Sequence, residues 1–165
     1  MKKVVLTLLT LLLVIGTKAQ ESQTEYNFLR LPVSAHAAAL GGENITIIED
    51  DPALMFSNPA LASSVSDNTV GLNYMNYMHG ANYMGASYTK ALGEKATIAG
   101  GILYMNYGKM KQVDENNVQT GTFNASDIAL EGIFSYELAR NLVGGITAKF
   151  ITSYLGNYNS MAVGV

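Results

Sequence analysis

The stretch SDIALEGIFSYELARNLVGGITAKFITSYL, residues 126–155, decides the fold class. It reads as two strands, 126–138 and 142–155, around a turn at Ala139-Arg140-Asn141. With Leu138 facing Leu142, one face pairs Tyr136 with Gly144, Phe134 with Ile146, Gly132 with Ala148 and Leu130 with Phe150. The other pairs Ile133 with Thr147, Glu131 with Lys149 and Asp127 with Ser153. Apart from Arg140 in the turn, every charge of the hairpin falls on that second face. Opposite charges directly across a strand pair contribute ~0.2–1 kcal/mol. A Lys aimed at lipid near mid-bilayer costs ~2–4 kcal/mol. The register that joins Glu131 to Lys149 therefore also takes both out of lipid. The hairpin predicts an all-β chain: an antiparallel transmembrane β-barrel whose lumen holds the Glu131–Lys149 cross-strand pair.

The same texture extends outward on both sides. Runs rich in Tyr, Ile, Val, Thr and Gly predict further strands at 68–78, 81–91, 96–107 and 160–165, with a long polar loop at 108–125. These exceed the usual five or six residues of globular strands and match the ~9–11 of a tilted membrane-spanning one. With Met78 opposite Ala81, the first three strands place Val70, Leu72, Tyr74, Gly85 and Ile102 on one face. Met75, Tyr77, Met84, Ala86 and Leu103 fall on the other. Neither face is charged, so the lipid side of these strands stays open. Strands apolar on both sides also suit a buried soluble sheet, which keeps a secreted β-sandwich as an alternative. Tyr74, Tyr77, Tyr83, Tyr104 and Tyr107 gather at one end, as an interfacial aromatic girdle would; a sandwich gives no reason for that. The short connections 92–95 and 139–141 suit a periplasmic side, and the 108–125 loop an external one.

Residues 1–19 read as an export signal. Lys2 and Lys3 precede an apolar run from Val4 to Ile15, and Thr17-Lys18-Ala19 supplies small residues at a cleavage site. The run is well short of the ~20 residues a membrane helix needs. Removing Lys2, Lys3 and Lys18 leaves seven of the ten basic residues against 13 acidic ones, a net charge of −6. An acidic exported chain carries no basic footprint for nucleic acid. The absence of Cys excludes a disulfide scaffold, a thiolate metal site and a Cys nucleophile.

Between the signal and the strands, residues 20–67 are irregular. Residues 34–40 predict one or two helical turns stopped by Gly41-Gly42, and 44–48 a short β-type run. Asp51 then caps a second short helix with Pro52 at its first position, and Asn58-Pro59 interrupts it. No large amphipathic face appears, so this segment is expected to need other structure to pack on.

Candidate chemistry is sparse. Glu49-Asp50-Asp51 lacks the alternate spacing of a Ca²⁺ loop and suits helix capping better. His36 and His79 are the only histidines, and neither has metal-site spacing. There is no G-x-S-x-G motif; an acyl hydrolase would need one of these two histidines as its base. The chain is read as a non-enzyme without cofactor or metal. Asn44-Ile45-Thr46 and Asn124-Ala125-Ser126 match the glycosylation sequon, a pattern frequent by chance. Gly100-Gly101 suggests close packing within a strand.

These residues also carry a resemblance. The stretch YNFLRLPVSAHAAALGGENITIIEDDPALMFSNPALAS, residues 26–63, resembles the N-terminal segment of the PorQ family of type IX secretion outer-membrane proteins of Bacteroidetes. The likeness continues through LNYMNYM (72–78), YMNYGKM (104–110) and GTFNASDIAL (121–130). Its ALGG, DD and NPA elements (Gly41, Gly42, Asp50, Asp51, Asn58, Pro59 and Ala60) are similar to the plug motif of PorV and of the wider group of barrels related to the fatty-acid transporter FadL. The resemblance implies a FadL/PorV-type barrel whose N-terminal segment plugs the lumen. It also implies a docking and anchoring role in the cell-surface attachment complex, beside PorV-, PorZ- and PorU-like proteins and outer-membrane lipid. A FadL-like transporter of hydrophobic small molecules is the alternative. In length the chain departs from the family, reaching about six strands of the expected barrel. The divisions expected are a signal peptide at 1–19, a plug at 20–67 and barrel strands at 68–165.

Overall fold

The computed structural model describes residues 26–42, 47–115 and 118–165. The signal-peptide assignment lies outside them, as do Asn44, Ile45 and Thr46 of the expected β-run and its sequon. Six antiparallel strands follow one another in sequence order across a single sheet: β1 (Thr69–Asn76), β2 (Asn82–Leu92), β3 (Ala96–Val113), β4 (Gln119–Ala139), β5 (Leu142–Leu155) and β6 (Tyr158–Gly164). Ahead of them come one short α-helix, α1 (Ala35–Ala39), and three 3₁₀ turns, Asn27–Arg30, Pro52–Phe56 and Pro59–Ser64. The chain is all-β with a small irregular N-terminal segment.

The β4–β5 register follows the charge pattern. Glu131 pairs with Lys149, Phe134 with Ile146, Leu130 with Phe150 and Asp127 with Ser153. Only the turn is tighter than expected. Ala139 pairs with Leu142, and a register irregularity between Glu137 and Ala139 absorbs the difference, so Leu138 does not face Leu142.

The β1–β2 register differs from the expectation by one residue. Tyr74 pairs with Met84 and Leu72 with Ala86, not with Gly85 and Ser87. A 3₁₀ turn at Met78–Gly80, with His79 at φ 60°, makes the connection, and the Tyr77 amide donates to the Ala81 carbonyl. A one-residue slip moves every side chain of a strand to the opposite face. Met84 and Ala86 therefore join Tyr74, Leu72 and Ile102, while Gly85 joins Met75 and Leu103. The tyrosine cluster divides with them. Tyr74 remains exposed, Tyr83 is buried in the core, and the Tyr107 hydroxyl donates to Asp127 Oδ2 at 2.6 Å.

Most of the expected 108–125 loop is strand, at 108–113 and 119–125. β3 runs on to Val113 and β4 begins at Gln119, so the two form a long ribbon past the rest of the sheet. Its polar residues on both sides hide the period-two signal, yet ribbon pairing needs only main-chain hydrogen bonds.

The sheet has two unlike faces. On β1–β5 one face carries Val70, Leu72, Tyr74, Met84, Ile98, Ile102, Leu130, Phe134, Ile146 and Phe150, all exposed. The other is covered by the N-terminal segment. Residues 52–56 pack on β1 and β2, and residues 59–64 on β3, β4 and β5. Phe28, Val33, Ala53, Met55, Phe56 and Ala62 form one core with Ala81 of the β1–β2 connection and with Tyr83, Leu103, Met105, Ala129, Ile133 and Ile151 of the strands. As its lack of an amphipathic face suggested, the segment obtains its core from the sheet. Each large apolar side chain it buries there is worth about 1.5–3 kcal/mol.

Candidate functional site

The interface between the N-terminal segment and the covered sheet face is the site that the fold assembles. Two Asx-Pro devices shape the segment. Asp51 Oδ1 accepts from the Ala53 amide at 2.9 Å, with Pro52 opening the turn that follows. Asn58 Oδ1 accepts from the Ala60 amide at 3.1 Å, with Pro59 in the same role. Asn58-Pro59 thus starts a new 3₁₀ turn where a mere interruption was expected. The signal was present as a repeat: Asp51-Pro52-Ala53-Leu54 returns seven residues later as Asn58-Pro59-Ala60-Leu61. Both caps use a short side chain that accepts from an orphan first-turn amide, while Pro has no N–H to lose there.

Each of the three consecutive acids has its own partner. Glu49 Oε2 lies 2.8 Å from His36 Nδ1. Asp50 accepts from the Ser66 amide at 2.7 Å and from the Ser66 hydroxyl, tying the segment to the approach to β1. The Ser66 hydroxyl and then its amide hold the Asp50 carboxyl below the usual carboxylate range. Asp51 Oδ2 accepts from the Ser34 hydroxyl at 2.6 Å, and Ser34 Oγ in turn caps α1 by accepting from the Ala37 amide. Gly41 and Gly42 follow α1 with φ of 105° and 99°, the left-handed stop expected of them. Among the described residues, no three His, Asp or Glu side chains come close enough to hold a metal.

The strands receive the segment at glycines. A Cβ on Gly145 of β5 would stand 2.5 Å from the Ala60 amide nitrogen and from the Pro59 carbonyl carbon, both main-chain atoms. On Gly101 of β3 it would run into the Phe56 ring. Gly71 and Gly85 meet Pro52 and Val33 in the same way. Close packing was expected of Gly100-Gly101, and Gly101 provides it. The other three contacts were not read from the sequence, because a glycine in a strand marks close approach without naming what approaches.

Beneath the segment runs a polar seam. Lys149 Nζ donates to Glu131 Oε1 at 3.0 Å, and the Glu131 side chain is only 1% exposed. Asp127 accepts from the Tyr107 and Ser153 hydroxyls. The hydroxyls of Tyr83, Ser87 and Ser135 and Glu131 Oε2 are buried there without a hydrogen-bond partner among the described residues. Glu131, Lys149 and Asp127 were expected on this face. Tyr107 was not, since the girdle reading placed it with the interfacial aromatics. The seam lies on the side away from the exposed apolar face.

No protein-family model and no curated protein matches the chain. Among the described residues no helix is long and apolar enough to cross a membrane, a test that does not bear on strands.

Proposed function

We propose that the protein is an outer-membrane β-barrel component of the type IX protein secretion system. In this reading the strands close into a FadL/PorV-type cylinder, residues 26–67 plug its lumen, and the protein anchors and docks the cell-surface attachment complex without catalysing a reaction. The observation that carries the membrane part is the exposed face of β4. Ile128, Leu130, Gly132, Phe134, Tyr136 and Leu138 follow one another there without a charge. Ten residue steps span about 34 Å along a strand, or about 26 Å across a bilayer at a tilt near 40°, which matches the apolar band of outer-membrane barrels. An aqueous sheet with this face uncovered would aggregate. The polar seam and the segment on the opposite face suit a lumen and its plug.

The secretion role rests on the resemblance of residues 26–63, 72–78, 104–110 and 121–130 to PorQ. Affinity capture of the full-length protein from outer membranes tests it. Recovery of PorV-, PorZ- or PorU-like partners supports docking, and their absence from the captured material refutes it. The second reading, a FadL-like transporter of hydrophobic small molecules, draws on the unpartnered Tyr83, Ser87, Ser135 and Glu131 atoms under the segment. A ligand's polar end could satisfy them. Recovery of bound lipid with no protein partner favours it.

A further inference from the structure

On β3 the sequence alternates regularly up to Asn106, which pairs with Ser126. The next pairing is Lys109 with Asn124, so Tyr107 and Gly108 together stand opposite Ala125 alone. This is a β-bulge with Gly108 in the left-handed region at φ 74°. The Asn106 side chain fixes it by accepting from the Gly108 amide at 2.7 Å. The bulge inverts the alternation beyond it. Tyr107 turns to the covered face and reaches Asp127. Lys109 and Lys111, opposite Asn124 and Thr122, fall on the exposed face with Tyr104 and Asn106. Without the extra residue both lysines would follow Tyr107 inward.

The result is a pair of cations on an otherwise acidic chain, just past one end of the apolar band. Both are exposed, and neither forms an ion pair with a described residue. They are about 7 Å apart along the strand and on the same face of it. Tyr74 and Tyr104 lie below them on the same face, toward the band. The other lysine on the exposed face, Lys90, pairs with Ile98 toward the opposite end. Charge complementarity, together with position at the rim of an apolar belt, identifies the occupant.

We infer that Lys109 and Lys111, turned outward by the Gly108 bulge, form a docking strip for phosphate-bearing lipid headgroups of the outer leaflet. This rests on the membrane reading above. A lysine near an anionic surface strengthens association about fivefold, so the pair contributes about thirtyfold. The strip would fix the vertical position of the barrel and hold an anionic lipid beside the projecting β3–β4 ribbon.

The test reconstitutes the full-length protein and its K109Q/K111Q variant into phosphatidylcholine vesicles with and without diphosphoryl lipid A. Heat-modifiable migration reports insertion in the neutral vesicles, and mass spectrometry reports lipid A retained after mild detergent extraction. Equal insertion of both proteins, with lipid A retention lost on the order of thirtyfold in the variant and restored in K109R/K111R, is the expected result. Equal retention by the wild type and K109Q/K111Q overturns the strip while leaving the membrane reading intact. Failure of every form to insert overturns both. Displacement of lipid A by inorganic phosphate assigns the lysines to a free anion and overturns the lipid assignment.

Discussion

Glu131 and Lys149 stand directly opposite each other on β4 and β5, 3.0 Å apart, with Glu131 almost wholly removed from solvent. Truncating one partner of a buried pair strands the other charge, at a cost of about 3–5 kcal/mol. Lys149→Met is expected to lower unfolding stability by that amount in denaturant titrations. Glu131→Leu combined with Lys149→Met is expected to recover most of it, because well-packed apolar replacements of buried pairs are often neutral. A double variant as unstable as the single one would show that the pair is not the source of the loss.

Gly145 gives a second comparison. Valine at Gly145 meets the Pro59-Ala60 backbone, which cannot give way, whereas a Cβ at Gly132 meets nothing within 4 Å. Gly145→Val is expected to cost about 1–3 kcal/mol or more and to loosen residues 58–64. Gly132→Val is expected to stay within about 0.5 kcal/mol of the wild type. Hydrogen exchange over 58–64 checks this; unchanged protection in Gly145→Val contradicts the seating described.

The Asp50–Ser66 clamp predicts an acid response. The folded protein lowers the Asp50 carboxyl below its ordinary value, so protons favour the released state. The clamp's contribution is complete above about pH 4 and fades as pH falls through the lowered folded value. Protease cleavage within residues 47–67 is expected to rise in acid for the wild type. In Asp50→Asn the segment is expected to be more open already at neutral pH. Equal protection of Asp50→Asn and wild type at neutral pH would count against the clamp.

Charge scanning of the exposed face separates membrane from aqueous sheet. In lipid, Phe134→Lys is expected to cost about 2–4 kcal/mol, and Leu138→Lys, near the strand end, about 0–1 kcal/mol. A sheet whose exposed face meets water would tolerate both alike. Refolding titrations into vesicles measure the difference.

Legibility in the sequence followed the charges. In the β4–β5 hairpin, Asp127, Glu131, Glu137 and Lys149 all fall on one face in a single register, and the structure adopts it. β1 and β2 carry no charge across their paired span, so a one-residue slip left the pattern looking equally good. The register there is set by the left-handed His79 turn and by Gly71 and Gly85, which must face Pro52 and Val33. Local pattern does not display either constraint. The β3–β4 ribbon was hidden for a different reason: polar on both sides, it offers no alternation to read. In the N-terminal segment the Asp51 cap is local and was legible, whereas Asn58, expected only to interrupt the helix, caps a turn of its own. What the acids bind was not legible, since Asp50 to Ser66 and Ser34 to Asp51 join residues 16 and 17 positions apart.

The chain contains no Trp, so single tryptophans placed on β4 and β5 report their surroundings without background. Reconstituted with brominated phosphatidylcholine, Phe134→Trp and Phe150→Trp should be strongly quenched, because their rings would touch acyl chains. Thr147→Trp, on the covered face, should keep its emission. Equal emission from all three positions, or a protein that stays in the aqueous phase when the vesicles are pelleted, would contradict the immersion of this face in lipid.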